Sequence, residues 1–160
     1  MASGKAKSMT SRQGRENQRY SAKGERLVAG IVPLSEDKTL VLLIQSTRRK
    51  GWVLPKGGWE KDEECTEAAA REAWEEAGIS VHIDFDLGDI EDSRPPKPSP
   101  KEPKERSLYR FYEATVLTQE EDWPEREKRE RGWFTFAAAY EHLKNRPELQ
   151  QALMRSTMKR

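Results

Sequence analysis

The segment from Gly57 to Ile79 constrains the fold of this chain more than any other part of it. Its first residues, Gly57-Gly58, follow Pro55-Lys56 at the end of a short apolar strand, where glycines let the backbone approach a ligand closely. A polar loop comes next, and then a helical stretch that Thr66 could cap. The stretch ends at Gly78, a residue type favoured in the left-handed position after a helix. The segment therefore predicts a strand, a ligand-approaching loop and a helix in direct succession.

The predicted helix carries Glu72, Glu75 and Glu76 on one face, because positions three and four apart in a helix are neighbours. Their mutual repulsion and the helix dipole together oppose this arrangement by ~1 kcal/mol or more. A hard divalent cation reverses the sign of that effect, since Mg²⁺ takes oxygen ligands and bridges carboxylates to phosphate. The alternative interpretation is a solvated acidic face carrying ion pairs such as Glu67–Arg71 and Arg71–Glu75.

The rest of the chain predicts one domain of the α/β class with a mixed sheet and helices on its faces. Residues 1–24 are rich in Ser, Lys, Arg, Gly and Gln and predict a flexible basic arm, which leaves 25–158 as the domain. The loop 93–106 contains five prolines and is expected to be irregular. Strand signals lie at 27–34, 39–45, 52–54, 81–91, 107–117 and 132–136, and further helices at 137–144 and from Pro147 to about Met158.

The composition limits which cellular compartments and which classes of binding partner are expected. The single cysteine, Cys65, rules out an internal disulfide and fits a reducing compartment. A net charge of +1 gives no global field for nucleic acid, and no apolar run approaches the ~18 residues of a membrane span. The N-terminus lacks the apolar core of a signal peptide, although a removed leader would leave no trace. We expect a monomeric cytoplasmic protein with no nucleic-acid or membrane partner, and a nuclear location is also compatible with the sequence.

The spacing of the fixed residues in the first segment resembles one family. Nudix hydrolases carry Gly, five residues, Glu, seven residues, Arg-Glu, an apolar residue, any residue, Glu-Glu, any residue, Gly and an apolar residue. This chain supplies Gly57, Glu63, Arg71-Glu72, Ala73, Glu75-Glu76, Gly78 and Ile79 at those places. Every fixed position matches, and only Ala73 is a small choice at its apolar place.

The resemblance implies a Nudix-type α/β/α sandwich whose loop and helix bind Mg²⁺ or Mn²⁺. It also implies hydrolysis in which water attacks one phosphorus of a pyrophosphate. By position, Glu72 and Glu76 would be the metal ligands and Glu75 the base, with Glu72 as the alternative base. We call this motif, from Gly57 to Ile79, the Nudix box, or simply the box. Its supporting residues would be Gly57, Gly58, Glu63 and Arg71.

Residues outside the box point to the substrate. Beyond the box, segments such as Trp52–Gly58, Glu91–Lys97 and Arg129–Phe134 resemble the diphosphoinositol polyphosphate phosphohydrolases, especially the fungal type. That family cleaves diphosphoinositol polyphosphates, diadenosine polyphosphates and inorganic polyphosphate, so the resemblance implies a polyanionic small-molecule substrate. Arg94 and Lys97 carry less weight, because their loop differs in length among relatives. The candidate substrate contacts are Arg26, Ser46, Thr47, Arg48, Lys56, Arg129 and Arg146.

Two other functions are compatible with the sequence. A Nudix hydrolase directed at nucleotides or mRNA caps would need an aromatic clamp for a base, for which Trp59, Trp123 and Tyr140 are the candidates. A non-catalytic module that senses inositol phosphates would usually have lost glutamates of the box. This chain keeps all four, which favours an enzyme.

Overall fold

The described part of the chain, residues 7–48, 50–93 and 106–160 of a computed structural model, contains one seven-stranded sheet and three helices. The strands are β1 (Arg26–Leu34), β2 (Val41–Gln45), β3 (Trp52–Val53), β4 (Lys56–Gly58), β5 (Ile79–Glu91), β6 (Ser107–Gln119) and β7 (Arg131–Phe134). The helices are α1 (Cys65–Ala77), α2 (Phe136–His142) and α3 (Pro147–Arg155). None of these helices is long and apolar enough to cross a membrane.

Strand β1 is the centre of the sheet. It pairs in parallel with β6, from Arg26 opposite Ser107 to Leu34 opposite Thr115, and antiparallel with β2 and β4. The strand order is β3-β2-β1-β6-β5, with β4 on β1 and β7 on β2. Every residue of β1 from Val28 onward is buried, so both faces of the strand are covered, as is usual for a strand in a parallel pair. The predicted α/β class and mixed sheet are confirmed.

Helix α1 packs closely on this sheet because its buried face is built from small residues. Ala68, Ala69, Ala73 and Ala77 are fully buried in the core that β1 also enters. An alanine at position 73 is therefore suited to this fold, since a larger side chain would have to displace the sheet beneath it. Through this packing α1 lies against both β1 and β4 of the sheet.

The ends of α1 are defined by a capping box and a left-handed glycine. The sequence predicts Thr66 as the cap, but the cap lies two residues earlier. The helix begins at Cys65 and Glu64 is the cap, with its N–H donating to Glu67 Oε1 at 2.8 Å. At the other end Gly78 has a φ of 67° and donates its N–H to the carbonyl of Trp74 at 2.9 Å. The predicted helix end is therefore confirmed.

Residues 7–24, which belong to the predicted flexible arm, lie against the domain. The amide of Gln18, only 4% exposed, donates to the carbonyls of Arg19 and Leu27 at 2.8 Å each. Arg19 in turn donates to the main-chain carbonyls of Glu60, Lys61 and Glu63. Arg19, within the predicted arm, thus bonds to main-chain groups 41 to 44 residues away in the sequence, which the local composition does not indicate. Residues 1–6 and the positions of Arg94 and Lys97 lie outside the described residues.

Candidate active site

A cleft of about 600 Å³ opens beside α1 and β4. Thirteen of the predicted site residues line it, although they come from widely separated parts of the sequence. Glu63 belongs to the predicted set but does not line the cleft, and it is 7% exposed. The lining residues from the predicted set are Arg26, Ser46, Thr47, Arg48, Lys56, Gly57, Gly58, Arg71, Glu72, Glu75, Glu76, Arg129 and Arg146.

Three of the four glutamates of α1 are nearly buried. Glu72, Glu75 and Glu76 are only 7%, 5% and 9% exposed, although all three are charged residues. The fit of β4 over α1 depends on a glycine, because a Cβ added to Gly57 would lie 2.2 Å from the carboxylate of Glu72. Gly57 therefore makes room for a carboxylate, and a side chain at this position would displace it.

Arg71 holds the carboxylates in place. Its guanidinium binds Glu63 through two hydrogen bonds, Nε to Oε2 at 2.6 Å and Nη2 to Oε1 at 2.8 Å. The remaining nitrogen, Nη1, donates to Glu72 Oε1 at 2.9 Å and to Glu75 Oε1 at 3.2 Å. One cation thus orients two glutamates of the helix and is itself fixed by a third carboxylate, the arrangement expected of a supporting residue.

The electrostatics of the cluster favour a bound cation. Burial raises the pKa of Glu72 well above its usual range, and repulsion from Glu76 adds to the shift. Burial also raises the pKa of Glu76 to about 7, although Arg129 and Lys56 act in the opposite direction. Buried carboxylates this close to one another do not readily ionise at the same time. A hard divalent ion, for which oxygen is the preferred ligand, stabilises their ionised forms. The donor set therefore fits Mg²⁺ or Mn²⁺, which Glu72 and Glu76 would hold.

A second group of carboxylates does not fit a cation as well. The carboxylate oxygens of Glu60, Asp62 and Glu63 lie within 4.8 Å of one another. However, Arg12 Nη1 pairs with Glu60 at 2.6 Å and with Asp62 at 2.9 Å, while Arg71 binds Glu63. These charges are already balanced by arginines, so the cluster is explained by ion pairs within the chain.

Two cationic residues, Lys56 and Arg129, lie next to Glu76. Burial lowers the pKa of Lys56 to about 8, and the main-chain N–H of this lysine donates to Glu76 Oε1 at 3.1 Å. Arg129 Nη2 lies 3.5 Å from Glu76 Oε2, and its Nε donates to Glu125 Oε1 at 2.9 Å. Sequence reasoning missed Glu125, which lines the cleft from a loop rich in both charge signs and carries no local signal.

Arg146, which also lines the cleft, is held in place by a buried carboxylate. Its Nε donates to Glu148 Oε1 at 2.6 Å, and Ser93 Oγ donates to Glu148 Oε2 at 2.7 Å. Burial would raise the pKa of Glu148, but the hydrogen bonds from Ser93 and Arg146 outweigh it and lower the pKa. Glu148 was also missed, since a glutamate after Pro147 is an ordinary choice for the first turn of a helix.

A mixed α/β fold that places three glutamates of one helix beside a glycine strand is the architecture of the Nudix class. The family profile of the NUDIX domain matches residues 24–155, so the chain belongs to the Nudix hydrolase family, whose members act on phosphorus-containing anhydrides. It is 39% identical to Nudix hydrolase 16, mitochondrial, of Arabidopsis thaliana, over 91% of this chain and 87% of that relative. It is 38% identical to Nudix hydrolase 21, chloroplastic, of the same plant, over 88% of this chain and 71% of the relative.

Solved structures show the same fold at low identity. A NUDIX hydrolase from Nitrosomonas europaea is similar with a TM-score of 0.66 at 18% identity, covering 82% of this chain and 87% of that one. An Ap4A hydrolase from C. elegans is similar with a TM-score of 0.58 at 20% identity, covering 81% and 93% respectively. At these identities the likeness supports the fold and carries no information on substrate.

The expectation of a cytoplasmic protein is contradicted. The two Arabidopsis relatives are named mitochondrial and chloroplastic, which points to organelles rather than the cytoplasm. The physical basis of the expectation was a single cysteine and a reducing compartment. That argument concerns redox state, so it does not separate the cytoplasm from the interior of an organelle.

Proposed function

We propose that this chain hydrolyses phosphoanhydride bonds of diphosphoinositol polyphosphates, and also those of diadenosine polyphosphates and inorganic polyphosphate, with Mg²⁺ or Mn²⁺. The observation that carries the proposal is the shared cleft, in which Arg48, Lys56 and Arg146 stand together with Glu72 and Glu76. Arginine forks and lysine charges are the usual binders of phosphate. The proposed partner is thus a polyanionic small molecule, without nucleic acid or membrane, and the chain acts as a monomer.

In the proposed reaction, the side chains of α1 have separate roles. Glu72 and Glu76 would hold the cation, which when bound would stabilise the charge that builds on the phosphoryl oxygens. Glu75 would accept the proton of the attacking water, and Arg71 would keep that carboxylate oriented through its Nη1 hydrogen bond of 3.2 Å. Water attacks one phosphorus, the bond from that phosphorus to the bridging oxygen breaks, and the other phosphate leaves.

Cations of the cleft that are already paired can still take a phosphate. A guanidinium has five N–H donors, so Arg146 keeps donors for a ligand after its Nε has bonded to Glu148. The same holds for Arg129, whose Nε binds Glu125 and whose Nη1 donates to the carbonyl of Gln45 at 2.8 Å. The carboxylate partners fix the direction of each guanidinium, which lowers the entropy lost on binding a phosphate.

The nucleotide or cap alternative has less support from the aromatic residues. Trp59 donates to the carbonyl of Glu63 at 2.9 Å, and Trp123, 7% exposed, donates to the carbonyl of Glu76 at 3.1 Å. Tyr140 stacks on Phe136 with ring centroids 5.8 Å apart. Within the described ranges, none of the three candidate clamp residues lines the cleft. Competition between a cap analogue and an inositol phosphate would separate the two substrates.

A turnover screen tests the proposal directly. Purified protein is incubated with diphosphoinositol pentakisphosphate, diadenosine hexaphosphate and linear polyphosphate, each with Mg²⁺ and with Mn²⁺. We expect the inositol pyrophosphate to be cleaved to inositol hexakisphosphate and inorganic phosphate, and to be preferred over a cap analogue. If both diphosphoinositol pentakisphosphate and diadenosine hexaphosphate stay intact, the proposal fails.

Arg146 provides a matched test of the cationic cleft. We expect Arg146→Gln to raise KM for diphosphoinositol pentakisphosphate about tenfold with little change in kcat, since one hydrogen bond to a charged group contributes roughly 1.5 kcal/mol. Lys144→Gln is the control, because Lys144 is 62% exposed and pairs with Glu141 at 2.9 Å without lining the cleft. Equal KM values for the two variants would show that Arg146 does not bind the substrate.

A further inference from the structure

Residues Ser8–Arg12 run beside α1 and end at the proposed base; we call them the N-terminal strap. At the start of the strap, the indole of Trp74 donates to the carbonyl of Ser8 at 2.7 Å. At its end, Ser11 Oγ donates to Glu125 Oε2 at 3.0 Å, and the main-chain N–H of Arg12 donates to Glu75 Oε2 at 3.2 Å. The strap therefore contacts the helix at two successive residues, one of which is Glu75.

The main-chain amide of Arg12 completes the hydrogen bonding of Glu75. Arg71 Nη1 donates to one carboxylate oxygen of Glu75, and the Arg12 amide donates to the other. The amide is itself held in place, because the guanidinium of Arg12 pairs with Glu60 at 2.6 Å and with Asp62 at 2.9 Å. Without the strap, Glu75 would keep its bond to Arg71 but lose the second donor, so one of its two carboxylate oxygens would no longer be fixed.

We propose that the N-terminal strap positions Glu75 for catalysis through the main-chain amide of Arg12, so that the active site is complete only when the strap is docked. This inference rests on the proposed function, in which Glu75 is the base. Arg12 acts through Glu75 and is therefore a positioning residue. A displacement of about 1 Å in a catalytic group can lower a rate by 10²-fold, and we expect a partial loss of orientation to lower kcat about tenfold.

Two substitutions of Arg12 distinguish the role of its main-chain amide from the role of its side chain. Arg12→Ala removes the guanidinium and keeps the N–H, whereas Arg12→Pro removes both. We expect kcat of Arg12→Pro for diphosphoinositol pentakisphosphate to be about tenfold below that of Arg12→Ala, with KM and Tm unchanged between the two.

A substitution at Trp74 tests the contact at the start of the strap, the hydrogen bond from the Trp74 indole to the Ser8 carbonyl. Trp74→Phe removes the donor to the Ser8 carbonyl while leaving an aromatic ring in place, and we expect a loss in kcat of about threefold with KM unchanged. Trp133→Phe is the matched control, because the Trp133 indole donates to Gln119 Oε1 at 3.2 Å, away from the strap. An equal kcat for Arg12→Pro and Arg12→Ala, or for Trp74→Phe and Trp133→Phe, overturns the inference while leaving the proposed function intact.

Hydrogen exchange tests docking of the strap independently of turnover. We expect the peptide covering residues 8–13 to be protected in the wild-type chain of 160 residues and to exchange at least tenfold faster in Glu75→Ala, which removes the acceptor of the Arg12 amide. Equal exchange in the two proteins overturns the inference even if the wild type cleaves none of the tested substrates. Absence of turnover with protected exchange would instead reject the proposed function alone.

Discussion

Replacing Glu75 by Gln will lower kcat for diphosphoinositol pentakisphosphate by about 10³-fold, because general acid–base catalysis by one positioned group contributes 10²–10⁴-fold. Glutamine keeps the size of the side chain and one oxygen that can accept the hydrogen bond from Arg71 or from the Arg12 amide. It cannot accept a proton from water. Binding of inositol hexakisphosphate should therefore stay within about threefold of wild type.

Single-turnover kinetics and calorimetric titration measure the two quantities separately. Glu67→Gln is the matched control, because Glu67 is exposed in the first turn of the same helix and a glutamine oxygen can still accept from the Glu64 amide. If Glu75→Gln is as active as wild type, Glu75 is not the base, and Glu72→Gln becomes the next variant to measure. If the wild type binds inositol hexakisphosphate without any turnover, the non-catalytic binding module is the better description.

The short strand β4 shows why local sequence patterns do not predict every strand of this sheet. Pro55 and the two glycines that follow predict the end of a strand and a loop, yet Gly57 lies opposite Ala29 of β1 in antiparallel pairing. The strand needs a glycine at this place because the carboxylate of Glu72 occupies the space that a Cβ would fill. A local propensity cannot contain this requirement, since the residue that imposes it lies on a helix later in the chain. The end of α1 at Gly78 was predictable because left-handed glycine caps depend on local backbone geometry alone.

The cations of the cleft were predictable as candidates, but their partners were not. Arg129 and Arg146 stand at element ends, where binding residues concentrate, and both line the cleft. Glu125 and Glu148, which orient them, occur in charge-rich or helix-start sequence where a glutamate is unremarkable. The strap was hidden for a related reason. Its composition is typical of disorder, and the bond from the Arg12 amide to Glu75 spans 63 residues.

The metal-free protein will lose stability as pH rises from about 4.5 to about 7, because burial raises the pKa of Glu76 from 4.5 to about 7 in the folded state. In this window the folded protein binds more protons than the unfolded chain, so the free energy of unfolding falls with rising pH. The contribution of Glu76 is fully present below pH 4.5 and is lost above about pH 7. A shift of this size corresponds to about 3 kcal/mol, and the raised pKa of Glu72 acts in the same direction.

Urea unfolding in EDTA at several pH values measures this slope, and Glu76→Gln isolates its source. Other titrating groups are shared by the two proteins, so the difference between their curves reports the glutamate at position 76. We expect the wild type to be less stable than Glu76→Gln at pH 7.5 and the two to converge near pH 4.5. Mg²⁺ at about one hundred times its Kd should restore roughly 3 kcal/mol to the wild type, because it binds the folded, ionised cluster. Parallel curves in EDTA would show that Glu76 ionises normally, and the electrostatic reason for a cation at this cluster would then be lost.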